Sequence, residues 1–259
     1  MTKQDVLSLF DVTGKTALIT GATGAFGSTA AKALAAMGAN VMLTGRTLSK
    51  LEACAKSVSQ NGSSVAVAAG DPTVPDDVAR VVNATVQNFG GVDILIAAAG
   101  DNMLKPIHEQ SDEQWEHMIR SNLKSTYLCC KEAGLAMVKQ GRGGKIIIVG
   151  SSRGQTGYSG LSAYCSSKGA EHMLAKALAC EWGPHKINVN CIAPSVFRAE
   201  MTQKYFEDAA ITKMLLARLP IGRLGEPEDF IGAVLLLSSA ASNWITGAVF
   251  NIDGGFTAT

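Results

Sequence analysis

Tyr164 and Lys168 stand one helical turn apart in the segment Tyr164-Cys-Ser-Ser-Lys168, and Ser151 lies upstream of them. Positions i and i+4 of a helix share a face, and an ammonium held beside a phenol favours the phenolate. Tyr164 is therefore a candidate proton donor or acceptor, with Lys168 as the group that tunes it. A solvated tyrosine and lysine on one helix face would show the same spacing, so the surroundings must decide.

A second chemistry-bearing segment is Thr20-Gly21-Ala22-Thr23-Gly24-Ala25-Phe26-Gly27, which follows an apolar strand and opens an alanine-rich helical stretch from Ser28 to Met37. Glycines there let the main chain approach a pyrophosphate, whose charge is favoured by the free amides and positive end of the helix. Any tight strand-to-helix turn can use such glycines. In the first strand-turn-helix unit of a parallel sheet they point to a dinucleotide. An acid at the end of the second strand normally binds the NAD ribose, but the segment from Asn40 to Arg46 has none and ends in Gly45-Arg46. A guanidinium there suits a 2′-phosphate by charge and fork geometry. NADP(H) is thus expected in preference to NAD(H), which stays open; Arg46 could also simply solvate the start of the next helix.

The elements that must position these residues read as strands at Thr16 to Thr20, Val41 to Thr44, Ser64 to Ala68, Ile94 to Ala97, Lys145 to Val149, Ile187 to Ile192 and Val249 to Ile252, with helical patterns between them. Continuously apolar strands alternating with helices predict an α/β, doubly wound Rossmann fold: a seven-stranded parallel sheet with helices on both faces. Ser111 with Gln114 is a capping box before Trp115, Pro227 suits the first turn of a helix running toward Leu237, and Gly183-Pro184 should stop the helix of Tyr164. Nothing reads as a linker or repeat, so residues 1–259 are expected to form one dinucleotide-binding catalytic domain.

Composition narrows the partners. A chain of 259 residues, 47% of them hydrophobic, can bury one large core. A net charge of +1 without basic runs argues against nucleic acid and for a small ligand. The stretch Met1 to Val12 carries Lys3, Asp5 and Asp11 and does not read as a secretory signal, which implies a cytoplasmic protein. The uncharged run from Phe230 to Phe250 is broken by serines, Asn243 and Thr246, so a buried helix and a buried strand are expected rather than a membrane span. Cys54, Cys129, Cys130, Cys165, Cys180 and Cys191 show no zinc-type pairing and read as free thiols.

Taken together, the motifs resemble those of the short-chain dehydrogenase/reductase family over almost the whole chain, and in the family's order. Gly70-Asp71 stands where that family's acid contacts adenine, Ala99-Gly100 ends the fourth strand as Asn-Asn-Ala-Gly does, and Ile252-Asp253-Gly254-Gly255 matches the C-terminal strand signature. The resemblance implies that Ser151 hydrogen-bonds the substrate oxygen, Tyr164 moves its proton, Lys168 also binds the nicotinamide ribose, and Asn122 holds a water linking Lys168 to solvent. It further implies cofactor contacts from Gly21, Thr23, Gly24, Phe26, Gly27, Arg46, Asp71, Ala99, Gly100, Tyr164, Lys168 and Phe197, and a homotetramer built on the helices around Trp115 to Val138 and Ala163 to Trp182. Four departures stand out: Ala25 at the middle glycine, Ala97-Ala98 for the two asparagines, Pro194-Ser195 for Pro-Gly, and Ala199 where a threonine often meets the nicotinamide amide.

Substrate choice must come from the segment between Ser151 and Tyr164 and the loop after Pro194. Arg153, Gln155, Tyr158, Arg198 and Glu200 make that rim polar, with Arg153 and Arg198 as the candidate substrate contacts. The expected reaction is alcohol-carbonyl interconversion on a sugar acid, polyol or similar small compound. A 3-oxoacyl-thioester reductase and a non-catalytic NADP(H)-sensing regulatory protein are the alternatives. No metal site is expected.

Overall fold

The computed structural model describes residues 1–59, 63–199 and 202–259, apart from the side chains of Lys204 and Tyr205. Its strands are β1 (Thr16–Thr20), β2 (Asn40–Gly45), β3 (Val65–Ala69), β4 (Ile94–Ala97), β5 (Gly144–Val149), β6 (Ile187–Pro194) and β7 (Val249–Ile252). They form one parallel sheet in the order β3-β2-β1-β4-β5-β6-β7. β1, β4 and β7 coincide with the apolar runs read from the sequence; the other four differ only at their ends.

The main helices are α1 (Lys3–Ser8), α2 (Ala25–Ala36), α3 (Leu48–Val58), α4 (Pro75–Phe89), α5 (Asp112–Met118), α6 (Ser125–Gln140), α7 (Ser162–Trp182), α8 (Gln203–Glu207), α9 (Ala209–Leu216) and α10 (Ile231–Ser238). Alternate residues along a strand point to opposite faces, and both faces are covered. Ile19, Leu43, Ile96 and Ile147 pack with Leu34 of α2, Leu51 of α3 and Val234 of α10. Leu18, Met42, Leu95, Ile146 and Ile148 pack with Val81 of α4, Cys130 and Met137 of α6 and Ala175 of α7. This double burial explains why the strands are apolar without alternation. At Gly134 of α6 an added Cβ would stand 2.3 Å from the Trp182 ring of α7, so glycine sets how closely those two helices meet.

Connectivity creates the crevice. β1 pairs with β2 on one side and with β4 on the other, so the chain reverses its direction of travel across the sheet between β3 and β4. Ligands of open parallel sheets sit outside the carboxyl ends of the strands at such a switch. Three sequence expectations are refined here. The helix after Pro227 begins as a 3₁₀ turn, Pro227–Phe230, before α10. β7, expected to be buried, is half-exposed because it is an edge strand. The expected long helix from Trp115 to Val138 is interrupted by a π turn over Ile119–Lys124. No described helix is long and apolar enough to cross a membrane.

Candidate active site

The glycine turn is set by steric necessity. Gly21 has φ +59°, and a Cβ there would fall 2.5 Å from the Ala98 carbonyl oxygen of the neighbouring strand end. A Cβ on Gly27 would fall 2.3 Å from the Gly21 carbonyl oxygen. The turn is closed by the Gly24 amide donating to Gly21 O at 2.9 Å, and Gly24 is the N-cap of α2 without a side chain to cap it. The first amides of α2 thus lack a side-chain acceptor, as an anion site requires. Ala25, the departure from the family pattern, is simply the first residue of α2.

Replacement of both asparagines after β4 by Ala97 and Ala98 leaves no gap in the bracing. Thr20 Oγ1 accepts the Ala98 and Ala99 amides at 3.1 and 3.3 Å, so a hydroxyl of β1 ties down the end of β4. Beyond it, Gly100 is close to two of the candidate catalytic residues: its Cβ would stand 3.0 Å from Asn122 Oδ1 and 3.6 Å from Lys168 Nζ.

Arg46 follows β2, is exposed, and has no hydrogen-bond or ion-pair partner among the described residues. Asp71 accepts the amide and hydroxyl of Thr73, both at 2.8 Å, while its own amide donates to Asp77 at 2.8 Å. Together with Gly21, Gly45 and Gly70 it lines a small pocket across the carboxyl ends of β1 to β3. Thr23 is exposed at the mouth of the turn. The rings of Phe26 and Phe197 pack on each other at 5.2 Å, and Phe26 also packs on Phe230 at 4.9 Å. Phe197 is buried, so it can offer a cofactor its main chain but not its ring. The threonine missing at Ala199 reappears three residues on, where Thr202 Oγ1 accepts the Ala199 amide at 3.0 Å and donates to the Phe197 carbonyl.

The candidate proton-handling residues come from three elements. Asn122 is buried in the π turn, a distortion that recurs at functional sites. Its Oδ1 accepts the Asp101 amide at 2.7 Å, and its Nδ2 donates to Asp101 O at 3.1 Å and to Ser167 Oγ at 2.9 Å. The side chain thereby fastens the loop after β4 to α7. Ser151 follows β5 and caps the 3₁₀ turn Ser152–Gly154, its Oγ accepting the Arg153 amide at 3.1 Å. With an amide already on the oxygen, the hydroxyl proton is left to be donated elsewhere.

Tyr164 is half-buried in the first turn of α7, and Lys168, one turn later, is buried with its Nζ 5.9 Å from the phenol ring centre. Two residues that sequence reasoning missed support them. Lys168 Nζ donates to the Val149 carbonyl at 3.0 Å and pairs with the wholly buried carboxylate of Glu171 at 2.9 Å; Thr126 donates to the other oxygen of Glu171 at 3.1 Å. Burial works against the ammonium, yet Glu171 and Tyr164 beside it hold the Lys168 pKa above its ordinary value. His172, left unassigned from the sequence, is buried beneath the Ser151 turn, where Gly150 and Gly154 lie against its ring. Burial, with Lys168 and Lys176 nearby, pushes its pKa down to about 4. Helical spacing placed both on the tyrosine's helix, but only the fold shows that they face inward.

The rim resolves the remaining candidates. Arg153 lies over the Tyr158 ring at 4.5 Å and over the Phe256 ring at 4.8 Å. Arg198 is different: it pairs with Glu226 at 3.0 Å and lies over Phe206 at 4.2 Å, so its charge already has a counter-ion. Gln155 is bonded to Asn251 at 2.8 Å, and Glu200 lies outside the described residues. Cys129, Cys130 and Cys191 are buried, and burial raises all three thiol pKa values, Cys129 and Cys191 to about 12; Cys165 is half-buried and Cys180 exposed. No cluster of His, Cys, Asp and Glu among the described residues could hold a metal ion.

The family model for short chain dehydrogenases matches residues 15–210. The chain is 41% identical over 260 residues to an uncharacterized oxidoreductase of Mycobacterium tuberculosis, covering 97% of this chain and 94% of that one. It is 35% identical to gluconate 5-dehydrogenase of Gluconobacter oxydans, covering 96% and 97%. Among solved structures, a gluconate 5-dehydrogenase from Burkholderia cenocepacia in complex with NADP and tartrate superposes with TM-score 0.94 at 30% identity, covering 98% and 99%. The chain therefore belongs to the short-chain dehydrogenase family, and is an NAD(P)-dependent dehydrogenase/reductase.

Proposed function

We propose that the protein is an NADP(H)-dependent oxidoreductase that interconverts an alcohol and a carbonyl on a sugar acid, polyol or similar small hydroxy or keto compound. The observation that carries this reading is the placement of Tyr164 and buried Lys168 on one turn of α7, against the Ser151 turn and beside the glycine cradle of Gly21 and Gly27. The turn suits a dinucleotide because its glycines let the main chain close tightly, a Cβ at Gly21 or Gly27 meeting main-chain atoms at 2.5 and 2.3 Å, and Arg46, without a partner among the described residues, suits a 2′-phosphate. NADP bound to the Burkholderia enzyme supports the same choice. So does a putative 2-deoxy-D-gluconate 3-dehydrogenase of Agrobacterium tumefaciens with bound NADP, 31% identical at TM-score 0.90.

Bound NADP(H) supplies the hydride acceptor or donor. In the oxidative direction Tyr164, as phenolate, takes the hydroxyl proton while the carbinol C–H leaves as hydride, and the carbon becomes a carbonyl; reduction reverses both transfers. Ser151 donates its free hydroxyl proton to the substrate oxygen. Lys168 holds positive charge beside the phenol and would bind the nicotinamide ribose. Asn122, fastened to Asp101 and Ser167, would hold the water that links Lys168 to solvent for proton exchange. The same reading has the enzyme work as a cytoplasmic homotetramer. Tyr127, Leu135 and Met173, exposed on α6 and α7, are apolar surface that another copy would cover, and light scattering measures the stoichiometry.

The decisive experiment follows nicotinamide absorbance with NADP or NAD and a panel of sugar acids, polyols and their keto forms, with Tyr164→Phe as control. Tyr164-dependent turnover with NADP preferred is the expected result. Cofactor binding without turnover across the panel would overturn it.

A further inference from the structure

Two arginines at the rim have no carboxylate partner among the described residues, although their neighbours do. Arg198 pairs with Glu226, and Arg223 with Asp229 at 2.5 and 2.7 Å. Arg153 and Arg218 instead share one aromatic ring: their guanidinium carbons lie 4.8 and 4.3 Å from the centre of Phe256. Phe256 is buried among Leu219 and Leu224, so its ring is a fixed platform. Tyr158 covers Arg153 as well, and Arg153 Nη1 donates to Thr156 Oγ1 at 3.4 Å and to the Gly157 carbonyl at 3.2 Å.

Two guanidinium charges gathered on one ring repel each other, and a carboxylate bound beside them would relieve that repulsion. The half-buried Arg153 guanidinium shows that conflict, since burial and the nearby Arg218 both push its pKa down. Stacking on aromatic faces positions a guanidinium without using its N–H groups, and of these two guanidinium groups only Nη1 of Arg153 is bonded among the described residues, to Thr156 and Gly157. Arg153 also stands next to the chemistry. Arg153 is two residues past Ser151, its amide holds the Ser151 oxygen, and Tyr164 is among the groups that act on its charge.

Resting on the preceding reading of Ser151 and Tyr164 as the reacting pair, we propose that Arg153 and Arg218 form a carboxylate-binding subsite that receives the acid end of a small hydroxy or keto acid. The enzyme then favours sugar acids and related acids over uncharged polyols. Arg218 is the specificity residue that the sequence did not single out, and Arg198 is not part of the subsite.

The test compares D-gluconate, 5-keto-D-gluconate and tartrate with xylitol and L-xylulose, using wild-type protein, Arg218→Gln, Arg153→Gln and Tyr164→Phe. Arg218 is exposed, so Arg218→Gln should fold even if Arg153→Gln does not. Loss of one charge-assisted contact is expected to raise KM for the acids about tenfold, with kcat within about twofold and any turnover of the uncharged compounds unchanged. Calorimetry should show tartrate binding to the wild type weakened by a similar factor in Arg218→Gln. Tyr164-dependent turnover of acids with the same KM in both arginine variants would overturn the subsite alone, as would higher kcat/KM for the uncharged compounds. Absence of Tyr164-dependent turnover with every compound would instead remove the reading on which the subsite rests.

Discussion

Lys168 and Glu171 form an ion pair of 2.9 Å with both side chains almost entirely out of water. Thr126 satisfies the second carboxylate oxygen and the Val149 carbonyl a further ammonium proton, so the pair is hydrogen-bonded as well as neutralised. Removing one member leaves a lone buried charge. Glu171→Leu is expected to destabilise the protein by about 3–5 kcal/mol, a fall of roughly 10 °C in melting temperature for a domain of this size. Glu171→Leu with Lys168→Met should recover most of that loss. A single variant that melts like the wild type would show that the pair is not a buried ion pair in solution.

Gly27→Ala forces a methyl group to within 2.3 Å of the Gly21 carbonyl, and the obstacle is main chain rather than a movable side chain. The turn must open, at a cost of about 1–3 kcal/mol, and the cradle must change shape. Fluorescence titration with NADPH should show at least tenfold weaker binding, while Gly14→Ala, which meets no atom but has φ +71°, should lose stability without losing affinity.

Arg46→Ala removes an exposed cation with no partner among the described residues, so stability should hold within about 0.5 kcal/mol. KM for NADP is expected to rise tenfold or more while KM for NAD changes little. Equal effects on the two cofactors would argue that Arg46 serves the helix start instead of the phosphate.

His172 ties stability to acidity. Its folded pKa is depressed to about 4, against about 6.5 in an unfolded chain. Between those values the unfolded chain binds more protons, so stability is complete above about pH 6.5 and is lost as pH falls toward 4. The slope contributed by this one group is at most about 1.4 kcal/mol per pH unit. Melting temperature should therefore drop between pH 6.5 and 5, before most carboxylates titrate, and the drop should shrink in His172→Gln. An unchanged slope in that variant would assign the effect to other groups.

The sheet was legible because each strand is a short apolar run between turn residues, and double burial erases the alternation that would blur its ends. Tyr164, Lys168, Ser151 and the glycines were legible because local spacing carries them. Glu171 and His172 were not: a charged or titratable residue on a helix gives no sign of facing inward until α6 and the Ser151 turn are packed against it. The Arg198–Glu226 pair and the meeting of Arg153 with Arg218 join segments far apart in the chain, so the loop composition that made Arg198 and Arg153 look alike could not separate them.

The π turn that carries Asn122 also constrains how this chain can change length. It holds one residue more than an α-helical turn would, so a residue lost between Ile119 and Lys124 would be absorbed by reversion to a regular α-helical turn, with α6 kept in register on the sheet. A residue lost within α6 itself has no such reserve and would rotate the helix beyond it by about 100°, carrying buried side chains such as Met137 off the sheet. What a codon lost from the π turn would unseat is Asn122, with its hold on Asp101 and Ser167, while the core layer stayed in place.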